Sequence, residues 1–289
     1  MSRVHPFKQV DVFTSRPFYG NPVAVVFDAD GLTDAEMRRI ANWTNLSETT
    51  FFQSPSAGSG ADYRLRIFHP QGELPFAGHP TVGSAHAYLE RFGARPDGLR
   101  MECGAGVLAI RAVGEGSGTL IFAETPEAQF VHEFGTSVEA ISAALGAPAV
   151  ADPPPASVHN GPTWLFTQVD DADLTALKPD LAAVARLSDD FSLTGIAVFS
   201  LTEGAETAVH IRCFGPIAGV PEDPVTGSAN AALPAYLNRM GLLDRVGQQY
   251  VSAQGMEIGR DGRVHVHTDG GRTQIGGQAV TVIEGEIRL

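Results

Sequence analysis

Two short stretches of similar sequence carry the residues best suited to chemistry. His79–Gly93 reads HPTVGSAHAYLERFG, and Pro221–Gly241 contains DPVTGSANA from Asp223 onward. The proline, the Gly-Ser-Ala run and the final alanine coincide, so His79 and Asp223 occupy equivalent positions. These two residues lie 144 positions apart (223 − 79), which is half of the 289 residues. The spacing predicts an internal duplication of about half the chain.

Both stretches predict a ligand site at a helix N-terminus. His79 and Asp223 are each expected just ahead of a helix whose first turn is rich in glycine, serine and alanine. Free backbone N–H groups and the positive end of the helix dipole bind carboxylates and oxyanions. If the repeats form two pseudo-symmetric domains, both N-termini can face one cleft. The structural alternative is a pair of tight strand–helix turns that bind nothing.

Glu48 is a candidate proton carrier. It is expected at the mouth of a strand, with Leu46, Phe51 and Phe52 as apolar neighbours. Desolvation disfavours the charged carboxylate, so we expect a raised pKa for Glu48. A raised pKa suits a general acid/base near neutral pH. A solvated glutamate at a strand start, or a capping residue, is the alternative.

The remaining polar side chains give weaker signals. His79 could also ligate a metal, but zinc needs several ligands at short spacing. His86 follows seven positions later on the same helix face, and His265 and His267 share a strand face. Neither pair has an obvious third ligand, so we predict no metal. Ser228 lacks the Gly-x-Ser-x-Gly context of a nucleophile, so we expect it to bind the ligand or cap the helix.

Composition limits the partners. The formal net charge of −13 argues against nucleic acid and against anionic membranes, which need a basic face. A small anionic ligand stays compatible, because a local pocket can hold it. Cys103 and Cys213 are predicted to be core residues in a reducing, cytoplasmic compartment. The N-terminal stretch MSRVHPFKQVDVF predicts no signal peptide, and no run reaches the ~20 apolar residues of a membrane span.

Two capping boxes predict where helices begin. Thr33 and Glu36 predict a helix that runs to about Thr44, and Thr136 with Glu139 predicts a helix ending at Gly146. The two capping boxes thus predict two ordinary helices.

Each half also predicts strands followed by one helix rich in Gly, Ser and Ala. A helix with so little side-chain bulk is expected to be packed on several sides. We therefore predict an α+β fold of two β-rich domains, each wrapped round one buried helix. Pro234 should kink the second of these helices, because it removes a backbone donor. The turn at Glu115–Gly118 suggests the boundary, giving residues 1–118 with 279–289 and residues 119–278.

The sequence resembles the PhzF family of phenazine-biosynthesis-type isomerases over nearly its whole length. The motifs that carry the resemblance are GNPVAVVFDADGL (Gly20–Leu32), NLSETTF (Asn45–Phe51), ELPFAGHPTVG (Glu73–Gly83), HNGP (His159–Pro162) and EDPVTGSA (Glu222–Ala229). The family is similar in fold to diaminopimelate epimerase and proline racemase. The resemblance therefore implies two pseudo-equivalent domains, each a β-barrel around a central helix, with the active site between them.

The resemblance also implies roles for single residues and a reaction. Glu48 matches the family's catalytic glutamate, and His79 and Asp223 match its active-site pair. Gly78, Gly227 and Ser228 match positions that contact the substrate. The implied reaction is isomerisation of trans-2,3-dihydro-3-hydroxyanthranilate without a cofactor. The implied partner is a second copy of the chain, in a homodimer.

One departure from the related racemases favours isomerisation. Those enzymes use two cysteines on opposite substrate faces, whereas here Ala77 precedes Gly78 and Val225 follows Pro224. A single base cannot easily invert a stereocentre, but it can take a proton from one carbon and return it to another. We predict such a proton shift on a small cyclic amino or hydroxy carboxylate. A cofactor-independent epimerase and a non-catalytic ligand-binding protein are the alternatives.

Overall fold

A computed structural model describes most of the chain, and its contacts divide the chain into two compact units. The described residues are 3–95, 97–202, 205–269 and 271–289. The first unit comprises Met1–Glu124 with Gly276–Leu289, and the second comprises Thr125–Ile275. None of the helices in the described residues is long and apolar enough to cross a membrane.

Strands outnumber helices in both units. The strands are β1 (Val4–Val12), β2 (Asn21–Val26), β3 (Glu48–Gln53), β4 (Tyr63–His69), β5 (Gly72–Leu74), β6 (Leu99–Cys103), β7 (Gly106–Val113), β8 (Leu120–Glu124), β9 (Gln129–Glu133), β10 (Ala156–His159), β11 (Thr163–Gln168), β12 (Gly195–Leu201), β13 (Val209–Gly215), β14 (Val220–Asp223), β15 (Gln249–Gln254), β16 (Gly262–Asp269), β17 (Arg272–Gly277) and β18 (Ala279–Arg288). The helices are α1 (Asp34–Thr44), α2 (Gly78–Phe92), α3 (Val138–Leu145), α4 (Asp171–Ala176), α5 (Leu181–Asp190), α6 (Gly227–Arg239) and α7 (Leu243–Val246).

The two units repeat one succession of strand pairings. In the first unit, β1–β2 is antiparallel, β2–β3 parallel, β3–β4 and β4–β5 antiparallel, β4–β6 parallel and β6–β7 antiparallel. In the second unit, β10–β11, β11–β12, β12–β13, β13–β14, β13–β15 and β15–β16 follow the same order of directions. Helix α2 lies between β5 and β6, and α6 lies between β14 and β15. The predicted duplication is therefore confirmed.

The helices rich in small residues are the most buried helices of their units. Every residue of α2 from Gly78 to Ala85 is buried, and the helix packs against β1, β2, β3, β8 and β18. Nine residues of α6 are buried, and it packs against β9, β10, β11 and β16. Glycine, alanine and serine allow strands to approach the helix axis from several sides. This arrangement, one helix packed against the strands of each unit, is the one predicted from the sequence.

Gly83 in the middle of α2 has no room for a side chain. A Cβ atom there would lie 2.5 Å from Val23 Cγ1 and 2.7 Å from Val12 Cγ2. We expect Gly83→Ala to destabilise the protein by about 1–3 kcal/mol through overpacking, despite the better helix propensity of alanine. Thermal unfolding should show a Tm several degrees lower than wild type. Gly31→Ala is the control, because nothing lies within 4 Å of that Cβ position. Equal melting of the two variants would contradict the packing argument.

The helix starts agree with the sequence in one case and differ in the other. Thr33 and Glu36 form the predicted capping box of α1, so that prediction is confirmed. The capping box predicted for Thr136 and Glu139 is wrong, because Thr136 lies within a short 3₁₀ turn and Ser137 occupies the N-cap of α3. The end of α3 at Gly146 is as predicted. Helix α6 runs unbroken through Pro234, and the kink expected there stays a prediction.

The turn at Glu115–Gly118 lies inside the first unit. Strand β8 pairs antiparallel with β7, with Val113 opposite Leu120, so the turn joins two neighbouring strands. The contacts therefore place the boundaries between the two units after residues 124 and 275, whereas the sequence suggested boundaries after residues 118 and 278.

Candidate active site

In the first unit the structure brings Glu48 and His79 together. Strand β3 begins at Glu48, beside Val23 of the parallel strand β2. His79 lies in the first turn of α2, directly after Gly78. Glu48 Oε2 and His79 Nε2 are 3.3 Å apart, and the two side chains are 17% and 7% exposed. The predicted acid/base residue therefore has a buried imidazole as its neighbour.

The prediction that His79 lies ahead of its helix is wrong. His79 is the second residue of α2, whereas Asp223 ends β14 ahead of α6, which begins at Gly227. Pro80 permits the earlier start of α2, because the first helical turn does not need the N–H group that proline lacks. Of the two equivalent positions, residue 79 therefore lies on a helix and residue 223 at the end of a strand.

The His79 ring is neutral at neutral pH. Burial lowers the pKa of His79 to about 3, against a smaller upward effect from its hydrogen bond to the Pro22 carbonyl. Within the described part of the chain, Nε2 has no partner in hydrogen-bonding geometry, so the nitrogen that donates to Pro22 is Nδ1. Nε2 then presents a lone pair towards Glu48. A proton on Glu48 or on Nε2 makes this contact favourable, so the pair is suited to hold one proton.

A buried chain of hydroxyl groups supports the Glu48–His79 pair. Ser84 of α2 donates to Thr50 Oγ1 of β3 at 2.8 Å, and Thr50 Oγ1 donates to the carbonyl of Ala24 in β2 at 3.2 Å. Thr50 follows Glu48 by two residues, so the two side chains share one face of the strand. These hydrogen bonds thus hold α2, β3 and β2 against one another beside the Glu48–His79 pair.

In the second unit the structure orders the turn at residues 223–228, called here the Asp223 turn. Thr226 Oγ1 donates to Asp223 Oδ2 at 2.7 Å. Gln254, at the end of β15, donates to the backbone carbonyl of Asp223 at 2.9 Å and accepts from the backbone N–H of Thr226 at 2.8 Å. Asp223 also lies opposite Cys213 on β13. These contacts connect the Asp223 carboxylate to the start of α6.

Ser228 is held from two sides. Trp164 Nε1 donates to Ser228 Oγ at 3.0 Å, and Asn160 Nδ2 donates to the Ser228 carbonyl at 2.9 Å. Because the Ser228 oxygen accepts from the indole, its own hydrogen is available for donation. The N-cap of α6 is Thr226, and no side chain caps it among the described residues. Ser228 is therefore not the N-cap of α6, and ligand binding by Ser228 stays a prediction.

The other sequence candidates are the cysteines and the histidines considered as metal ligands. Among the described residues, no group of three or more His, Cys, Asp or Glu side chains could hold a metal ion. Cys103 and Cys213 are both buried, as predicted, and burial raises the pKa of each thiol. The ring of His86 lies 3.2 Å from Glu90, within its own helix.

Some supporting residues were absent from the sequence predictions. Asn160 lies in the HNGP motif, which signalled the region but not the contact. Trp164, Thr226 and Gln254 act through long-range or backbone contacts, and nothing in their local sequence indicated this.

The bond from Trp164 to Ser228 makes a testable prediction. Trp164→Phe keeps an aromatic side chain but removes the indole N–H donor, so the Ser228 hydroxyl loses its fixed direction. We expect the KM for the substrate to rise about threefold to tenfold, the usual effect of one hydrogen bond. Trp43→Phe is the control, since that side chain is 82% exposed. In a Ser228→Ala background the Trp164→Phe effect should vanish. Persistence of the full effect there would contradict the assignment.

Comparison with known proteins identifies the class of the chain. A family model described as phenazine biosynthesis-like protein, PhzC-PhzF, matches residues 10–285. A trans-2,3-dihydro-3-hydroxyanthranilate isomerase of Pseudomonas fluorescens is 36% identical over 296 residues, covering 99% of this chain and 100% of that protein. A protein of Schizosaccharomyces pombe named antisense-enhancing sequence 1 is 37% identical over 294 residues, covering 98% of both chains.

Solved structures have the same fold. The PhzF-family phenazine biosynthesis protein of Bacillus anthracis has a TM-score of 0.85 and 31% identity, over 99% of both chains. A hydroxyproline epimerase of Agrobacterium vitis has a TM-score of 0.64 and 14% identity, over 99% of this chain and 92% of the other. The fold and these relatives define an isomerase with two epimerase-like domains, which confirms the predicted fold class. The chain belongs to the phenazine biosynthesis-like family, PhzC-PhzF.

Proposed function

We propose that the protein is a cofactor-independent isomerase that moves a proton between two carbons of a small cyclic amino or hydroxy carboxylate. The proposed substrate type is trans-2,3-dihydro-3-hydroxyanthranilate, the compound in the name of the Pseudomonas fluorescens relative. The observation that carries the proposal is the 3.3 Å contact between Glu48 and a buried, neutral His79.

Glu48 performs both proton transfers in this proposal. As a carboxylate it takes the proton when a C–H bond breaks, and the electron pair enters the conjugated system. As an acid it returns the proton to another carbon, where a new C–H bond forms. No atom is gained or lost, and nothing is oxidised or reduced.

The neutrality of His79 matters for the basicity of Glu48. A protonated imidazole beside Glu48 would stabilise its carboxylate and weaken it as a base. A neutral ring with Nδ1 bonded to Pro22 instead offers a lone pair at Nε2. This lone pair can accept a hydrogen bond from Glu48 while the carboxyl carries the substrate proton.

The Asp223 turn is proposed to bind polar groups of the substrate. The Ser228 hydroxyl and the backbone N–H groups at the start of α6, including that of Gly227, would donate to the substrate carboxylate. Asp223 would accept from its amine or hydroxyl. Gly78 is proposed to play the part of Gly227 at the start of α2. Gly78 and Gly227 are each the first residue of their helix, which supports this assignment.

Isotope transfer in heavy water tests the proposal. Wild-type protein is incubated in D₂O with trans-2,3-dihydro-3-hydroxyanthranilate and a panel of cyclic amino and hydroxy carboxylates, followed by proton NMR and chiral chromatography. We expect a hydrogen to leave one carbon and a hydrogen or deuterium to appear on another. Inversion at a single carbon would indicate an epimerase instead. Calorimetric binding of 3-hydroxyanthranilate with no turnover across the panel would indicate a binding protein.

The homodimer implied by the family resemblance is a separate proposal. Sedimentation equilibrium of the purified protein tests it directly, and a single species with the mass of one chain would contradict it.

A further inference from the structure

The side chain of Gln254 makes three hydrogen bonds to the Asp223 turn. Its side chain is 1% exposed and bonds at both ends. Oε1 accepts from the backbone N–H of Thr226 at 2.8 Å and from Asn230 Nδ2 at 3.3 Å. Nε2 donates to the Asp223 carbonyl and to Thr226 Oγ1, both at 2.9 Å.

These contacts fix the direction of the hydrogen bonds that run from Gln254 through Thr226 to Asp223. A backbone N–H can only donate and a carbonyl can only accept, so the amide of Gln254 has one allowed orientation. Its Nε2 therefore donates to Thr226 Oγ1, and the hydrogen of that hydroxyl must point elsewhere. It points at Asp223 Oδ2, 2.7 Å away. Asp223 Oδ2 is thus a hydrogen-bond acceptor.

We infer that Gln254 and Thr226 are positioning residues that hold Asp223 as an acceptor, so that the site selects substrates with an N–H or O–H donor. The substrate class in this inference rests on the proposed function. The state of Asp223 as a hydrogen-bond acceptor does not depend on that proposal. Thr226 is 4% exposed, so its bond to Asp223 is shielded from water. A hydrogen bond donated to a carboxylate favours its ionised form.

Two other titratable groups, Cys213 and Glu222, lie near Asp223. Cys213 lies opposite Asp223 on β13 and also hydrogen-bonds to Thr226 and Gln254. Burial raises the pKa of its thiol, the hydrogen bond to Thr226 opposes this rise, and the negative charge of Asp223 adds to it. Glu222, the preceding residue, is held by Arg212, whose Nε and Nη2 donate to its two carboxylate oxygens at 2.8 and 2.9 Å.

The first test measures the ionisation of Asp223 without any substrate. Protein labelled with ¹³C at aspartate carboxyls is titrated by NMR, and the Asp223 resonance is assigned by its loss in Asp223→Asn. We expect Thr226→Val, which keeps the shape of the side chain, to shift the Asp223 titration upward by about one pH unit. Thr226→Ser should restore the wild-type titration. Gln254→Glu should also shift it upward, because the new carboxylate draws the Thr226 hydrogen away. Titration of Asp223 at the wild-type pH in Thr226→Val would overturn the inference.

The second test measures selectivity by calorimetry. The probes are 3-hydroxyanthranilate, which carries donors, and benzoate, which has the carboxylate alone. We expect wild type to prefer 3-hydroxyanthranilate and Thr226→Val to reduce that preference about tenfold, with Thr226→Ser close to wild type. An unchanged preference in Thr226→Val would overturn the inference. If the titration shifts as expected while wild type isomerises none of the proposed substrates, the positioning role is supported and only the proposed function fails.

Discussion

Replacing Glu48 with glutamine should lower kcat for proton transfer by about a thousandfold, within the range usual for general acid/base catalysis. Glutamine keeps the size of the side chain but cannot take a proton from carbon. His79 cannot substitute for it, because burial lowers the pKa of His79 to about 3 and makes the ring a weak base. Hydrogen transfer between the two carbons, followed by NMR in D₂O, gives the rate.

Two variants make the Glu48 experiment specific. Glu115→Gln removes an exposed carboxylate from the turn between β7 and β8, and its rate should equal wild type. Glu48→Asp keeps the carboxyl group but withdraws it by one methylene, so its rate should fall between wild type and Glu48→Gln. Proton transfer in Glu48→Gln at a rate within a few fold of wild type would show that another group is the base.

Replacing Asp223 with asparagine should lower kcat/KM about a hundredfold, as expected when a charged hydrogen-bond partner of the substrate is lost. The asparagine oxygen can still accept the hydrogen bond from Thr226, so the turn should keep its shape. The negative charge that would receive the substrate's amine or hydroxyl is gone. Steady-state kinetics on a substrate from the isotope panel measures the loss.

An aspartate away from the turn provides the control for Asp223. Asp190 is exposed at the end of α5, and Asp190→Asn should leave kcat/KM unchanged. Circular dichroism and thermal melting of both variants separate a local effect from unfolding. Equal kinetics of Asp223→Asn and Asp190→Asn would remove Asp223 from the proposed site.

Much of the fold could be predicted because its signals are local. The capping box of Thr33 and Glu36 lies within four residues, and it starts α1 as expected. The Gly-Ser-Ala runs indicated buried helices, because only small residues let strands such as β1 and β2 pack closely on α2. Glu48 and His79 were both singled out as candidates, but only the fold reveals their contact.

The rest could not be predicted because it depends on contacts between distant residues. Gln254 joins the Asp223 turn from 28 positions beyond Thr226, and Trp164 reaches Ser228 across 64 positions. Neither contact leaves a pattern in the neighbouring sequence. The capping box predicted at Thr136 was wrong for a local reason, because a 3₁₀ turn competes for the same residues.

The pairing of β1 with β18 has a consequence for synthesis on the ribosome. Val4 lies opposite Arg288 and Val12 opposite Ala279, so β1 gains this partner only after residues 279–288 have been translated. The whole second unit, Thr125–Ile275, leaves the exit tunnel before that partner does. The sheet of the first unit therefore gains β18 only after the whole second unit has been synthesised. Until β18 has been synthesised, one edge of β1 lacks its strand partner, and an unpaired strand edge can pair with other chains.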